Sequence, residues 1–159
     1  MSKVYLETSF FSLCVSTRTG IKEQGWKASS IEWWQTQARK HELFISPEVI
    51  RELSAPEFPN GPLALQLVRG LAILDLTLEV VELAELFVQE KVMPGPAFQG
   101  DALHVAAATF HAMDYILTWN VKHLANPNKR RHLAILCARL GLVPPILMTP
   151  DLLQGDDNE

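Results

Sequence analysis

The chain has 159 residues, 48% of them hydrophobic and 20% charged, which suits one compact domain with a full hydrophobic core. A formal net charge of -4 argues against a protein that wraps nucleic acid by bulk electrostatics, although carboxylates clustered on a metal would add negative charge of their own. Two cysteines, Cys14 and Cys137, give neither a disulfide framework nor a zinc cluster. No apolar run is long enough for a bilayer, and the opening MSKVYLETSFF lacks the basic-then-apolar layout of a signal peptide, so the expected compartment is the cytoplasm, with no membrane role.

Lys3 to Leu6 reads as a first strand, and Glu7-Thr8-Ser9 follows it directly. A carboxylate just past a buried strand sits where parallel sheets bind ligands; a plain turn with Thr8 or Ser9 capping a helix is the alternative. Ile21 to His41 is a helix candidate whose Trp26, Trp33, Trp34 and Ala38 form a stripe, read as a face packed on the sheet. Glu42 to Ser46 is a second strand. Ser46 then caps a helix with Pro47 at its first position, Val49, Ile50 and Leu53 on its apolar face, and Glu48 and Glu52 four apart on an exposed one. Ala55 to Pro62 is turn-rich, Leu63 to Arg69 a short helix, and Leu71 to Leu76 a third strand.

A helix from Thr77 or Leu78 to about Lys91 and a Pro/Gly-rich loop, Met93 to Gly100, deliver Asp101 to the start of a nearly all-apolar helix, where an acid also serves as a cap. The strand YILT and the polar cluster Trp119 to His123 follow. After a turn at Asn126-Pro127-Asn128 comes a basic helix, Lys129 to Leu140, stopped by Gly141; the last strand is ILM, at 146–148. Residues 1–150 form a single domain, and 151–159 an acidic tail. Helices alternating with short apolar strands predict a mostly parallel sheet covered on both faces.

Glu7, Glu52, Asp101 and Asn120 stand out by position, because a parallel sheet can bring all of them to its carboxyl edge. Three carboxylates around one hollow repel each other unless a cation lies between them. Hard oxygen donors suit Mg²⁺ or Mn²⁺, and such a site serves metal-assisted phosphodiester hydrolysis. There is no P-loop, no GxGxxG and no plausible cysteine nucleophile.

In these motifs and their order the chain resembles the PIN domains, and among them the VapC-type toxins and related stand-alone proteins. VYLETSFF is similar to the first motif, SPEVIREL to the second, DALHVAAAT to the third and DYILTWNVKHL to the fourth. The resemblance covers roughly Lys3 to Met148. It implies a three-layer α/β/α sandwich with a mostly parallel central sheet, a Mg²⁺ or Mn²⁺ site and cleavage of single-stranded RNA. It also implies a homodimer and an antitoxin protein as partner. Glu7, Glu52, Asp101 and Asn120 would be both the catalytic and the metal-binding residues, with Thr8 or Ser9 beside them. One residue departs from the pattern. The first acid of the family is almost always Asp, whereas Glu7 carries an extra methylene that moves the carboxylate by about 1.5 Å.

Around this constellation, His104 is placed to act as base, ligand or orienter, or simply as a packed histidine. Lys122 and His123 could touch a phosphate. The basic cluster Lys129, Arg130 and Arg131 could guide an RNA backbone, against the sense of the helix dipole. Two other readings stay open: a PIN-like module that binds nucleic acid or protein without efficient catalysis, motivated by Glu7, and a flavodoxin-like nucleotide binder, which would lack the usual glycine-rich loop.

Overall fold

The computed structural model describes residues 1–154. The chain begins with strand β1 (Lys3–Leu6), helix α1 (Thr8–Cys14) and helix α2 (Ile21–Thr36). A 3₁₀ turn over Ala38–Lys40 leads to β2 (Glu42–Ile45), α3 (Pro47–Ser54), α4 (Gly61–Leu67) and β3 (Ala72–Ile73). The second half holds α5 (Leu78–Gln89), α6 (Asp101–Phe110), β4 (Tyr115–Leu117), α7 (Pro127–Arg139) and β5 (Ile146–Met148).

The strands form one sheet in the order β3-β2-β1-β4-β5, and every pairing is parallel. Val4, Tyr5 and Leu6 of the central β1 are all fully buried, as expected of a strand covered on both faces. Right-handed crossovers put α1 to α4 on one face and α5 to α7 on the other. Packing agrees: α1 touches α2, α3 and α4, while α5 and α6 pack on each other. This is the α/β/α sandwich anticipated from the sequence.

The strand order reverses at β1. From there the chain first runs outward through β2 to β3, then returns to β4 on the other side of β1. The loops leaving β1 and β4 therefore diverge and open a crevice at the carboxyl edge. The register pairs Leu6 with Leu117, which sets Glu7 and Thr118 side by side one residue beyond the ladder; Glu7 N–H still donates to Leu117 O at 3.1 Å.

Several local expectations change. The helix expected over Ile21 to His41 ends at Thr36 and tightens into the 3₁₀ turn. Its aromatic stripe packs chiefly on α1 rather than on the sheet, with Trp33 edge-on to Phe10 and Trp34 against Phe10 and Phe11. The third strand, expected over Leu71 to Leu76, shrinks to two exposed residues at the sheet edge. The helix expected from Leu63 starts at Gly61 instead, where an added Cβ would lie 2.3 Å from Leu53 O. The basic helix begins two residues early, at Pro127, because Asn126 caps it through Asn128 N–H. The acidic tail expected over 151–159 is described only to 154, so its end lies outside the described residues.

Candidate metal and catalytic site

Glu7 follows β1 and is the N-cap of α1; the cap is neither Thr8 nor Ser9. Its Oε2 accepts from Ser9 N–H at 3.0 Å, from Thr118 Oγ1 at 2.8 Å and from the Ser9 hydroxyl. The same two hydroxyls accept from the backbone of the loop after β4. Trp119 N–H donates to Ser9 Oγ and Asn120 N–H to Thr118 Oγ1. One carboxylate oxygen thus ties the ends of β1 and β4 together.

That loop is also held from the side. Trp119 stacks on Trp26 of α2, with centroids 4.9 Å apart, and its indole N–H donates to Ser30 Oγ at 2.6 Å. The stripe on α2 therefore serves the site loop as well as the core. Asn120, next in sequence, donates from Nδ2 to both oxygens of Asp101, at 3.1 and 3.2 Å, while its Oδ1 accepts from His123 N–H. Both ends of the amide are taken, so in this arrangement Asn120 orients Asp101. Asp101 itself is the first residue of α6; the N-cap is Gly100, whose φ of 75° suits a residue without a Cβ.

Glu52, on α3, accepts on Oε1 from Thr8 Oγ1 at 2.9 Å and from His104 Nε2. His104 is fully buried in α6, and its other nitrogen meets the Tyr5 hydroxyl at 2.6 Å. Thr8 and His104, read from sequence as neighbours of the site, thus touch the same carboxylate.

Glu48 was expected on an exposed face with Glu52, but it is 2% exposed. Its carboxylate binds Arg51 and accepts from Gly100 N–H at 2.8 Å. Helical spacing shows that two residues share a face; it does not show what that face meets. Here it meets the loop that delivers Asp101. Replacing Glu48 by Ala leaves the Gly100 N–H unpaired and is expected to cost about 1–3 kcal/mol, read as a lowered midpoint in urea or thermal unfolding. Tyr5, Ser46, Glu48 and Thr118 are the participants that sequence reasoning did not assign to the site. Thr118 stood within the motif DYILTWNVKHL; Tyr5 read only as a strand hydrophobe.

Lys122 and His123 are exposed on the turn after Asn120. Arg130 reaches back to Leu147 O at 3.4 Å, and Arg131 is exposed. No hydrogen bond among the described residues joins Lys129, Arg130 or Arg131 to the acidic hollow.

The electrostatics separate the acids. Burial pushes Glu7 above the usual carboxylate range, opposed by His104 and by the Ser9 and Thr118 hydroxyls. Burial likewise raises Asp101, opposed by His104, His123 and Asn120. Burial acts on Glu52 in the same sense, but the His104 hydrogen bond and charge, with Thr8, outweigh it and hold Glu52 low. His104 is the counterpart. Burial favours its neutral form, yet the Glu52 hydrogen bond and the charges of Glu7, Glu52 and Glu48 prevail and raise it.

A hard divalent cation suits the chemistry of these donors. Glu7 takes its hydrogen bonds on Oε2 alone and Glu52 on Oε1 alone. The second oxygen of each accepts no hydrogen bond among the described residues; the Glu52 side chain is 27% exposed, whereas Glu7 is buried at the edge of the crevice. Among the described residues no three His, Cys, Asp or Glu side chains form a cluster that would enclose an ion. Mg²⁺ does not require one, since it keeps several waters and uses one or two carboxylates together with substrate phosphate.

No family model and no curated protein matches the chain. Solved structures do. A chain of VapBC2 from Rickettsia felis, in a complex bound to a DNA fragment from its promoter, superposes with a TM-score of 0.56 at 16% identity, covering 92% of this chain and 98% of that one. VapC20 from Mycobacterium tuberculosis, a sarcin-ricin loop cleaving toxin, gives a TM-score of 0.56 at 14% identity, covering 76% of this chain and 92% of that one. The chain has the PIN-type fold of these structures.

Proposed function

We propose that the protein is a metal-dependent endonuclease of single-stranded RNA, toxin-like, with its site at the crevice between β1 and β4. What supports this reading is the PIN-type sheet together with a hydrogen-bond network at its carboxyl edge, in which Thr118 and Asn120 link Glu7 to Asp101 and His104 of the same helix meets Glu52. Mg²⁺ or Mn²⁺ would be held by one or two of the carboxylates of Glu7, Glu52 and Asp101, with water and substrate phosphate completing its shell. When bound, such an ion lowers the pKa of a water and offsets charge on a phosphodiester.

The chain's own residues do the rest. Ser9 and Thr118 fix the Glu7 carboxylate, and Thr8 and His104 fix that of Glu52. Asn120 holds Asp101 against the entry of α6. The exposed Lys122 and His123 follow Asn120 on its turn, the His123 N–H donating to Asn120 Oδ1, and suit contact with RNA phosphates, with Lys129 and Arg131 further along the chain. An antitoxin partner belongs to the same reading, since a VapBC complex is among the similar structures, and a homodimeric state is proposed with it from the family resemblance alone. No helix among the described residues is long and apolar enough to cross a membrane; the reading assigns the protein to the cytoplasm.

The test is incubation of purified protein with a mixed single-stranded RNA library. Cleavage is expected with Mg²⁺ or Mn²⁺ and is expected to stop on chelation. No metal-dependent cleavage under either ion would overturn the enzymatic reading. A second reading, binding without efficient catalysis, draws on the hydrogen bonds that each acid already makes within the protein. It predicts RNA retention in a filter assay that chelation leaves unchanged.

A further inference from the structure

His104 stands among Ala102, Leu103, Val105, Ala106, Ala107 and Ala108, all buried. An aliphatic residue would fill such a place without the cost of burying two ring nitrogens. The ring instead belongs to a continuous chain of polar groups through the core. Glu48 N–H donates to Ser46 Oγ, and Ser46 Oγ lies 2.8 Å from the Tyr5 hydroxyl. Tyr5 lies 2.6 Å from His104 Nδ1, and His104 Nε2 meets Glu52 Oε1, which also accepts from Thr8. The chain links β1, the α3 cap, α6 and α1, and it ends on one oxygen of one carboxylate.

Counting hydrogens gives the chain a direction. An ionised Glu52 only accepts, so His104 Nε2 carries the proton facing it. In the neutral ring Nδ1 then accepts from Tyr5 O–H, Tyr5 accepts from Ser46 O–H, and Ser46 accepts from Glu48 N–H. Every donor points toward Glu52. In the charged ring Nδ1–H donates to Tyr5, which turns its own proton to Ser46. The heavy atoms need not move between the two states, because the Tyr5 hydroxyl can reverse its sense. Glu52 Oε1 is pinned in both, while its other oxygen accepts no hydrogen bond and the side chain is partly exposed.

We propose that Tyr5 and His104 are positioning residues that fix the rotation of the Glu52 carboxylate, so that Oε1 is held by the core and Oε2 is presented to the crevice. The proposal rests on the reading of Glu52 as a metal-binding acid. Partners that orient a ligand in this way commonly change metal affinity ten- to a hundredfold when removed. Tyr5→Phe is the informative variant, because it keeps the buried ring and removes only the hydroxyl.

The experiment titrates Mn²⁺ into full-length protein, following free Mn²⁺ by electron paramagnetic resonance, for wild type, Tyr5→Phe, Glu52→Gln and the double variant. Tyr5→Phe is expected to weaken Mn²⁺ binding about tenfold or more and to lower kcat with KM for RNA little changed. In the Glu52→Gln background the same change is expected to have no further effect on binding, since Tyr5 acts through Glu52. Equal losses in both backgrounds, or unchanged affinity in a folded Tyr5→Phe protein, would overturn the proposal. Absence of Mn²⁺ binding by wild type would instead remove the metal reading, and the positioning claim is then decided by nuclear magnetic resonance of the His104 ring. A slowly exchanging Nε2–H signal that shifts in Tyr5→Phe and is lost in Glu52→Ala supports it. A ring signal indifferent to both substitutions overturns it.

Discussion

Glu7→Asp is expected to lower RNA cleavage about a hundredfold, although it restores the residue that the resembled family carries at this place. The surroundings of Glu7 are built for the longer side chain. Its Oε2 lies within reach of Ser9 N–H, the Ser9 hydroxyl and Thr118 Oγ1 together. Asp is a good N-cap and would keep the bond to Ser9 N–H. It would then draw back by roughly one C–C bond, about 1.5 Å, from Thr118 on the neighbouring strand. Thr118 also accepts from Asn120 N–H, so the withdrawal loosens the loop that orients Asp101. The measurement is kcat/KM on a fixed RNA substrate, with thermal unfolding to show that the fold is retained. Higher activity in Glu7→Asp would mean that Glu7 is an impairment, and would favour a module that binds without efficient catalysis.

The legible part of this site is the part placed by the ends of regular elements. Glu7 follows a strand of three consecutive buried residues, and Asp101 opens a helix whose next eight residues are all buried. Periodicity marks such boundaries, and the alternation of strand and helix says that they share an edge. The unforeseen part is what crosses between elements. Glu48 looked solvated because its own helix gives no sign that Gly100, 52 residues onward, closes over it. Tyr5 has the pattern of a core strand residue, and only the tertiary structure shows that its hydroxyl meets His104 of α6. The shortened β3 has a similar cause. The run Leu71 to Leu76 alternates well enough for a strand, but at a sheet edge the ladder lasts only as far as β2 offers partners; Leu74 N–H to Ile45 O at 2.7 Å is its last bond.

Asp101→Asn is expected to reduce cleavage by at least about 10²–10³, the usual loss when one preorganised electrostatic group is removed from an active site. It is also expected to raise thermal stability at neutral pH. The two effects share a cause. Burial holds the Asp101 carboxyl above its ordinary range despite His104, His123 and Asn120, so the folded protein is more stable when this group carries a proton. At neutral pH the charge is present and opposes folding. Stability from this group returns as pH falls through the raised value, and the advantage of the Asn variant over wild type shrinks in the same window. Asn keeps one carbonyl oxygen for the Asn120 amide, so the local hydrogen bond survives. Glu52 supplies the opposite sign. Its pKa is held below the ordinary value by His104 and Thr8, so its contribution to stability is present above the unfolded carboxylate range and is lost as pH falls through the lowered one. Glu52→Gln is therefore expected to lower the melting temperature at neutral pH, while Asp101→Asn raises it. Melting curves of the two variants and wild type between acidic and neutral pH, without added metal, check both signs. An Asp101→Asn protein that is less stable than wild type would show that the Asp101 charge helps to hold the fold, and that its place at the crevice is structural.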